Sequence, residues 1–212
     1  MNFDGIAPFY RMMERLAAGQ RLQRCRTAFL DEIPAPRNAL LIGEGHGRFL
    51  LPFRQKFPAA KITVIDGSAE MLRIAKELLD QHRLPTDDID LIQSDLFDWQ
   101  GPAQIYDLVV TNFMLDCLTA PQVDRAVAQL SHAATSDANW LIADFEIAPH
   151  GLAKWRSRAI TWLLYTFFRC VTGIPANSLH PPDAALERAG FSRRQRKTWE
   201  WGLLKSEWWS RG

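Results

Sequence analysis

The sequence predicts an α/β fold, a doubly wound and mostly parallel seven-stranded sheet with an antiparallel hairpin at its edge. Three observations carry that expectation. Short β-branched apolar runs alternate with amphipathic helical stretches over residues 38–146, the pattern of a parallel sheet covered by helices on both faces. The run Asn38-Ala-Leu-Leu-Ile42 breaks into glycines at alternate positions, Gly43, Gly45 and Gly47, before apolar residues resume at helical spacing as Phe49, Leu50, Phe53 and Phe57. Two strand-like runs near the end of the chain are joined only by Glu200, Trp201 and Gly202, a connection short enough for a hairpin.

Each element follows from its own residues. Phe9, Met12, Met13 and Leu16 are spaced for one helix face, and Leu22, Cys25 and Phe29 for another, so two helices are expected before the first strand. Pro34 and Pro36 mark the loop between them and that strand. Lys61-Ile-Thr-Val-Ile-Asp66 reads as the second strand, and Ser68 as the N-cap of a helix burying Met71, Leu72, Ala75, Leu78 and Leu79. Asp88 to Ser94 alternates as a third strand, Tyr106 to Phe113 is a β-branched fourth, and Trp140 to Phe145 a fifth. Pro121 to Ala134 is a helix with Val123, Val127 and Leu130 inward. A strongly aromatic helix is expected from Trp155 to Val171, a short one near Pro182 to Ala189, and strands from Ser192 to Trp199 and Leu203 to Trp209.

Composition bounds the function. With 212 residues, 47% hydrophobic and 23% charged, the chain reads as one globular domain. Within it, residues 1–37 form a helical arm, 38–146 the core, 147–190 a helical insertion and 191–212 the edge strands. A net charge of +1 gives no electrostatic footprint of the kind nucleic-acid binders carry, so no nucleic-acid partner is expected. Cys25, Cys117 and Cys170 are odd in number and widely spaced, which suggests reduced thiols in a cytoplasmic protein and no metal site. Neither a signal peptide nor an apolar run of the roughly 18 residues that span a bilayer is visible.

The glycines and Asp66 suggest a nucleotide. A backbone that turns with positive φ and approaches a ligand closely excludes a Cβ, and the helix beyond offers free N–H groups. Asp66 ends the second strand nineteen residues beyond Gly47, where a carboxylate can take both ribose hydroxyls of an adenosine; the alternative is an Asp-Gly-Ser capping turn. The dinucleotide pattern is G-x-G-x-x-G, whereas here the third glycine comes one residue early, which disfavours a nicotinamide-dependent oxidoreductase.

Gly43-Glu-Gly-His-Gly47, Asp66, Asp95, Tyr106 to Leu118 and Ala189-Gly-Phe191 together resemble the class I S-adenosylmethionine-dependent methyltransferases over nearly the whole chain. The resemblance implies a Rossmann-like fold, S-adenosylmethionine as cofactor, and cofactor contacts from Gly43, Glu44, Gly45, Gly47, Asp66, Gly67, Met71, Asp95, Leu96 and Asn112. Such families carry an acid two residues before the first glycine, and here that position is Leu41; Glu44 is the carboxylate in reach to replace it. The departure keeps open a catalytically inactive, binding-only member of the fold.

On the acceptor side, Asp116 and Cys117 follow the fourth strand. Asp116 is the first candidate for a general base or orienter, against a helix-capping or surface role. His150 and His180 flank the aromatic helix, and His150 is the second catalytic candidate. Phe3-Asp-Gly-Ile-Ala-Pro-Phe-Tyr10 is similar to the N-terminal motif of the quinone-biosynthesis methyltransferases, which implies a segment closing over the cofactor with Tyr10 near the substrate; the alternative is an arm packed on the core. Amide and DNA methylating relatives show two prolines after the fourth-strand Asn or Asp, whereas Phe113, Met114 and Leu115 follow Asn112 here. The aromatic helix instead suggests a small apolar acceptor such as a quinol, phenol or lipid-like molecule, with Trp162 and Tyr165 as a lid over it or as a peripheral membrane contact. Core packing is the plain alternative for that helix.

Overall fold

Seven strands hydrogen-bond in the order β3-β2-β1-β4-β5-β7-β6: β1 (Asn38–Ile42), β2 (Lys61–Asp66), β3 (Ile89–Gln93), β4 (Tyr106–Asn112), β5 (Ala134–Phe145), β6 (Phe191–Trp199) and β7 (Leu204–Arg211). The structure is a computed structural model that describes residues 19–148, 150–172 and 179–212, with side chains described outside 162–172. The first five strands run parallel, and β7 runs antiparallel to both β5 and β6. The expected edge hairpin is therefore present, with β7 as its inner strand. The helix expected from Phe9 lies outside the described residues.

Both faces of the sheet are covered, which is why β1 and β4 read as unbroken apolar runs and not as alternating ones. On one face Leu40, Ile42, Val109 and Trp140 pack against Val123, Val127 and Leu130 of α4 (Ala120–Ala133). On the other, Leu41, Ile62, Val64 and Val110 meet Phe49, Leu50 and Phe53 around α2 (Leu50–Lys56) and Leu72, Ala75 and Leu79 of α3 (Ala69–Gln81). Ser68 caps α3 as expected, its Oγ accepting the Met71 N–H at 3.2 Å. At the start of α4, Gln122 Oε1 accepts both the backbone N–H and the hydroxyl of Thr119.

Three boundaries depart from expectation. The second helical stripe is helix only as far as Arg26, forming α1 (Gly19–Arg26), and Phe29 reaches the core from the turns that follow. Strand β5 begins at Ala134, ahead of the expected Trp140. Its first half, Thr135 to Asn139, is too polar to signal a strand, and pairing with β4 slips between Tyr106 and Leu108. The aromatic helix α5 (Gly151–Thr172) starts before Trp155, because Leu152 and Lys154 face solvent and leave no apolar periodicity to read. A short helix, α6 (Asp183–Arg188), leads into β6.

Candidate active site

Strand register gathers the cofactor candidates along one edge. Gly43 donates its N–H to Ile65 O at 2.8 Å, and Ser94 donates to Asp66 O at 3.1 Å, so the glycine loop, Asp66 and Asp95 stand side by side at the carboxyl ends of β1, β2 and β3. That edge is where ligands bind in open α/β sheets. At Gly43, with φ +64°, a Cβ would lie 2.9 Å from Met114 Cγ in the segment after β4. At Gly47, with φ +83°, a Cβ would lie 3.1 Å from Ala75 Cα, so this glycine lets α3 pack against the loop. Around Gly45 the corresponding space is open.

Both oxygens of Asp66 take backbone donors: Oδ2 accepts from Gly45 N at 2.9 Å and Oδ1 from Ser68 N at 2.9 Å. The carboxylate thus joins the tip of β2 to the glycine loop and to the α3 cap, as its turn-forming alternative requires. Glu44 Oε1 accepts from Phe49 N and Leu50 N, both at 2.7 Å, and so caps α2. Burial pushes its carboxyl up to about 7, against those two amides and Arg26, which favour the charged form. Leu41, where an acid was expected, is fully buried in the core. Gly67 is exposed, Met71 is buried, and Leu96 packs into the main core. Asp95 is exposed and accepts from Phe97 N at 2.9 Å, the local turn of a surface carboxylate. Asn112 is buried at the end of β4 with neither side-chain nitrogen nor oxygen partnered among the described residues.

The acceptor side turns sharply. Phe113 has φ +55°, an uncommon conformation for a bulky side chain that costs about 1–3 kcal/mol. It is held by its N–H on Ala143 O at 2.6 Å, by the Phe145 ring at 5.4 Å and by Arg26 at 5.0 Å over its ring. A 3₁₀ turn, Leu115–Cys117, follows and buries Asp116. Thr119 and Gln122 cap α4 in place of Asp116, whose burial takes it off the surface and whose carboxylate is held by the backbone of its own 3₁₀ turn. Burial pushes Asp116 up to about 6, with the Cys117 thiol, 3.5 Å from its Oδ1, holding it lower.

Beside it stands a carboxylate that the sequence reading missed. Asp144, near the end of β5, is buried with Oδ1 unpartnered. Burial raises its carboxyl well above the ordinary range, the Asp116 charge raises it further, and Lys205 opposes. Two interacting carboxyls release their protons as a pair, the second more reluctantly than the first. The signal was available: Ile142-Ala-Asp144 ends an apolar strand in an acid, as Ile65-Asp66 does.

Asp144 shares its sheet face with Trp140, because alternate residues of a strand point the same way. On β7 the same alternation puts Lys205 and Glu207 on the face of Trp209. Glu207, fully buried, accepts from Lys205 Nζ at 3.2 Å, Trp209 Nε1 at 3.2 Å and Arg193 Nη1 at 3.1 Å. Arg193 continues to Asp183 of α6 at 2.7 Å. A charged layer therefore runs from the acid pair to the sheet edge.

The remaining candidates are not brought to this place. His150 is exposed just before α5, and among the described residues no hydrogen bond joins it to Asp116 or Asp144. Tyr10 lies outside the described residues, as do the side chains of Trp162 and Tyr165.

Comparison with known proteins points to the S-adenosylmethionine-dependent methyltransferases. Residues 39–137 match a family described as a methyltransferase domain. The chain is 35% identical over 83 residues to a release factor glutamine methyltransferase of Rhodopirellula baltica, a match covering 39% of this chain and 27% of that protein. It spans about a quarter of that relative's length. The mitomycin 7-O-methyltransferase MmcR superposes with a TM-score of 0.73 at 18% identity, over 100% of this chain and 61% of its own. An O-methyltransferase family 2 protein of Planctomyces limnophilus in complex with apigenin gives 0.72 at 18% identity, over 95% and 61%. A SAM-dependent methyltransferase of Aquifex aeolicus gives 0.65 at 17%, over 99% of both chains. The matched segment covers just under half of the chain, the superposed structures share its fold, and S-adenosylmethionine is the cofactor of the class to which both point.

The residues fit such a cofactor. Asn112 leaves a buried donor and acceptor unused, and the space above Gly45 is open.

Proposed function

We propose that this chain transfers a methyl group from S-adenosylmethionine to a hydroxyl of a small, apolar acceptor of the phenol or quinol type, with Asp116 receiving the hydroxyl proton. The observation that carries this reading is the buried carboxyl pair Asp116 and Asp144 at the ends of β4 and β5, next to the glycine loop through Met114. A sulfonium supplies an electrophilic methyl group. Its in-line displacement needs the nucleophile held close and dry, and a base when that nucleophile arrives protonated. A carboxyl near 6 is ionised at neutral pH yet basic enough to accept a phenolic proton as the oxygen becomes methylated. With Asp144 raised beside it, the pair gives up its second proton more reluctantly than its first.

On the cofactor side, Asp66 takes the ribose hydroxyls, exchanging or sharing its backbone donors. Asp95 and Leu96 flank the adenine, Gly67 and Met71 border the ribose, and Asn112 bonds the amino-acid end. Glu44 Oε2 faces the ammonium while Oε1 stays on α2. The names of MmcR and of the apigenin complex support an oxygen acceptor of aromatic type. The glutamine in the name of the Rhodopirellula relative does not transfer well, because Phe113-Met-Leu115 replaces the paired prolines of amide methylating relatives. A second reading, a fold kept for binding alone, rests on Leu41 lying in the core.

The test is a screen of metabolite extracts with cofactor labelled in the methyl group. Label should appear in an extractable aromatic ether and disappear with Asp116→Asn. Label on nitrogen, or none with any extract although cofactor binds, would overturn the acceptor assignment or favour the binding-only reading respectively.

A further inference from the structure

Beyond the methyl-transfer reading, and independent of it, one corner of the molecule has the chemistry of a surface made for lipid. Among the described residues, Ile147, Leu152, Trp155 and Trp201 are large apolar side chains left 37%, 84%, 72% and 74% exposed, with Ile105 alone elsewhere. They lie together. Arg156 donates to Glu200 O at 3.0 Å and stands 5.6 Å over the Trp201 ring, while a Cβ on Gly202 would lie 3.2 Å from Ala148. The β6–β7 turn thus rests on the first turns of α5. Leu152 and Trp155, three residues apart, share one face of that helix.

Charge around this patch has a single available sign. Lys154, Arg156 and Arg158 are exposed, and the whole of Gly151–Thr172 contains no acidic residue. Glu200, the acid at the rim, is already paired with Arg21 at 2.8 Å. Arg156 shares Glu200 at 4.0 Å, so a protein whose net charge is only +1 places Lys154 and Arg158, with no acidic partner among the described residues, beside its exposed tryptophans. Tryptophan sits well at a bilayer's polar boundary, and a helix with basic and aromatic exposed side chains lies in that boundary. Among the described residues no helix is long and apolar enough to cross a membrane, so contact would be with the surface.

We propose that Leu152, Trp155 and Trp201, with Lys154 and Arg158, form a docking surface for an anionic lipid bilayer. The charge complementarity selects an anionic lipid surface over a neutral one, and the exposed rings supply the apolar part of the contact.

The experiment is co-sedimentation of the full chain with phosphatidylcholine vesicles, with and without phosphatidylglycerol. The chain should sediment with the anionic vesicles only, and release as salt is raised. Trp155→Ser with Trp201→Ser should reduce partitioning at least tenfold, while melting temperature and S-adenosylhomocysteine affinity stay unchanged. Lys154→Ser and Arg158→Ser should each cost roughly fivefold on anionic vesicles, about 1 kcal/mol per cation. Absence of sedimentation with anionic vesicles overturns the proposal, as does equal partitioning of the tryptophan variant. A concentration-dependent dimer that the tryptophan variant dissolves, without vesicle binding, would assign the surface to a second copy of the chain.

Discussion

In the role proposed for it, Asp116 accepts a proton only when ionised, and its burial decides when that is. With a carboxyl near 6, turnover should rise with pH through about 6 and level off above 7. Asp116→Asn should lower kcat by about 10²–10⁴-fold while S-adenosylhomocysteine affinity holds; single-turnover assays of both proteins check this. The loss should shrink for an acceptor that is already deprotonated. Glu44 carries a different expectation because it caps α2 and is proposed to offer its second oxygen to the cofactor. Glu44→Gln should weaken S-adenosylhomocysteine but leave adenosine, which lacks the ammonium, nearly as tight by calorimetry. Equal losses for both would mean that the loop, and not a contact, had failed. At this scale the sequence singled out Asp66 and Asp116 as candidates because acids ending or following β-branched runs stand out. It did not show that Asp66 would be engaged with Gly45 and Ser68, since hydrogen-bond partners depend on how the loop folds back. Lys205 and Glu207 were hidden too, because a buried ion pair looks like any exposed one in a linear chain.

Among elements, the strand–loop–helix unit from β1 to α2 was legible almost to the residue. Its apolar run, its glycines and its Phe49, Leu50 and Phe53 face all act locally. Gly47 makes the packing part of this testable. With φ +83° and the Ala75 backbone 3.1 Å from any Cβ, Gly47→Ala combines backbone strain with a forced shift of α3. The variant should lose about 1–3 kcal/mol of stability, measured by urea titration; a loss below about 0.5 kcal/mol would show that α3 moves freely. Strand β5 was legible only in its second half, because Trp140 to Phe145 is held by burial whereas Thr135 to Asn139 is held by pairing with its neighbours. The start of α5 failed for a related reason: its exposed Leu152 and Trp155 are apolar residues on the wrong side for a core.

For the whole molecule, buried acids set the pH response. Asp116, Asp144 and Glu44 have folded-state carboxyls above their ordinary values. Well below pH 4 each is protonated whether folded or not and costs nothing. As pH rises through 4 to 7 the unfolded chain ionises first, so their contribution to stability falls. The melting temperature of Asp116→Asn should therefore gain on that of the parent as pH rises from about 4 to 7, in paired thermal scans; a constant difference would mean the pair is not shielded from water. The topology itself was expected from alternation of strands and helices, while the insertion of β7 between β5 and β6 depends on long-range pairing that no local pattern reveals. The central claim is that the carboxyl edge of β1, β2 and β4 binds S-adenosylmethionine, and titration calorimetry tests it most directly. S-adenosylhomocysteine should bind one molecule per chain, and Asp66→Ala should weaken it by roughly tenfold to a few hundredfold, the loss of two charge-assisted hydrogen bonds, while NAD gives no heat. Binding of NAD in place of S-adenosylhomocysteine, or an Asp66→Ala protein that is folded and binds as tightly as the parent, would contradict it.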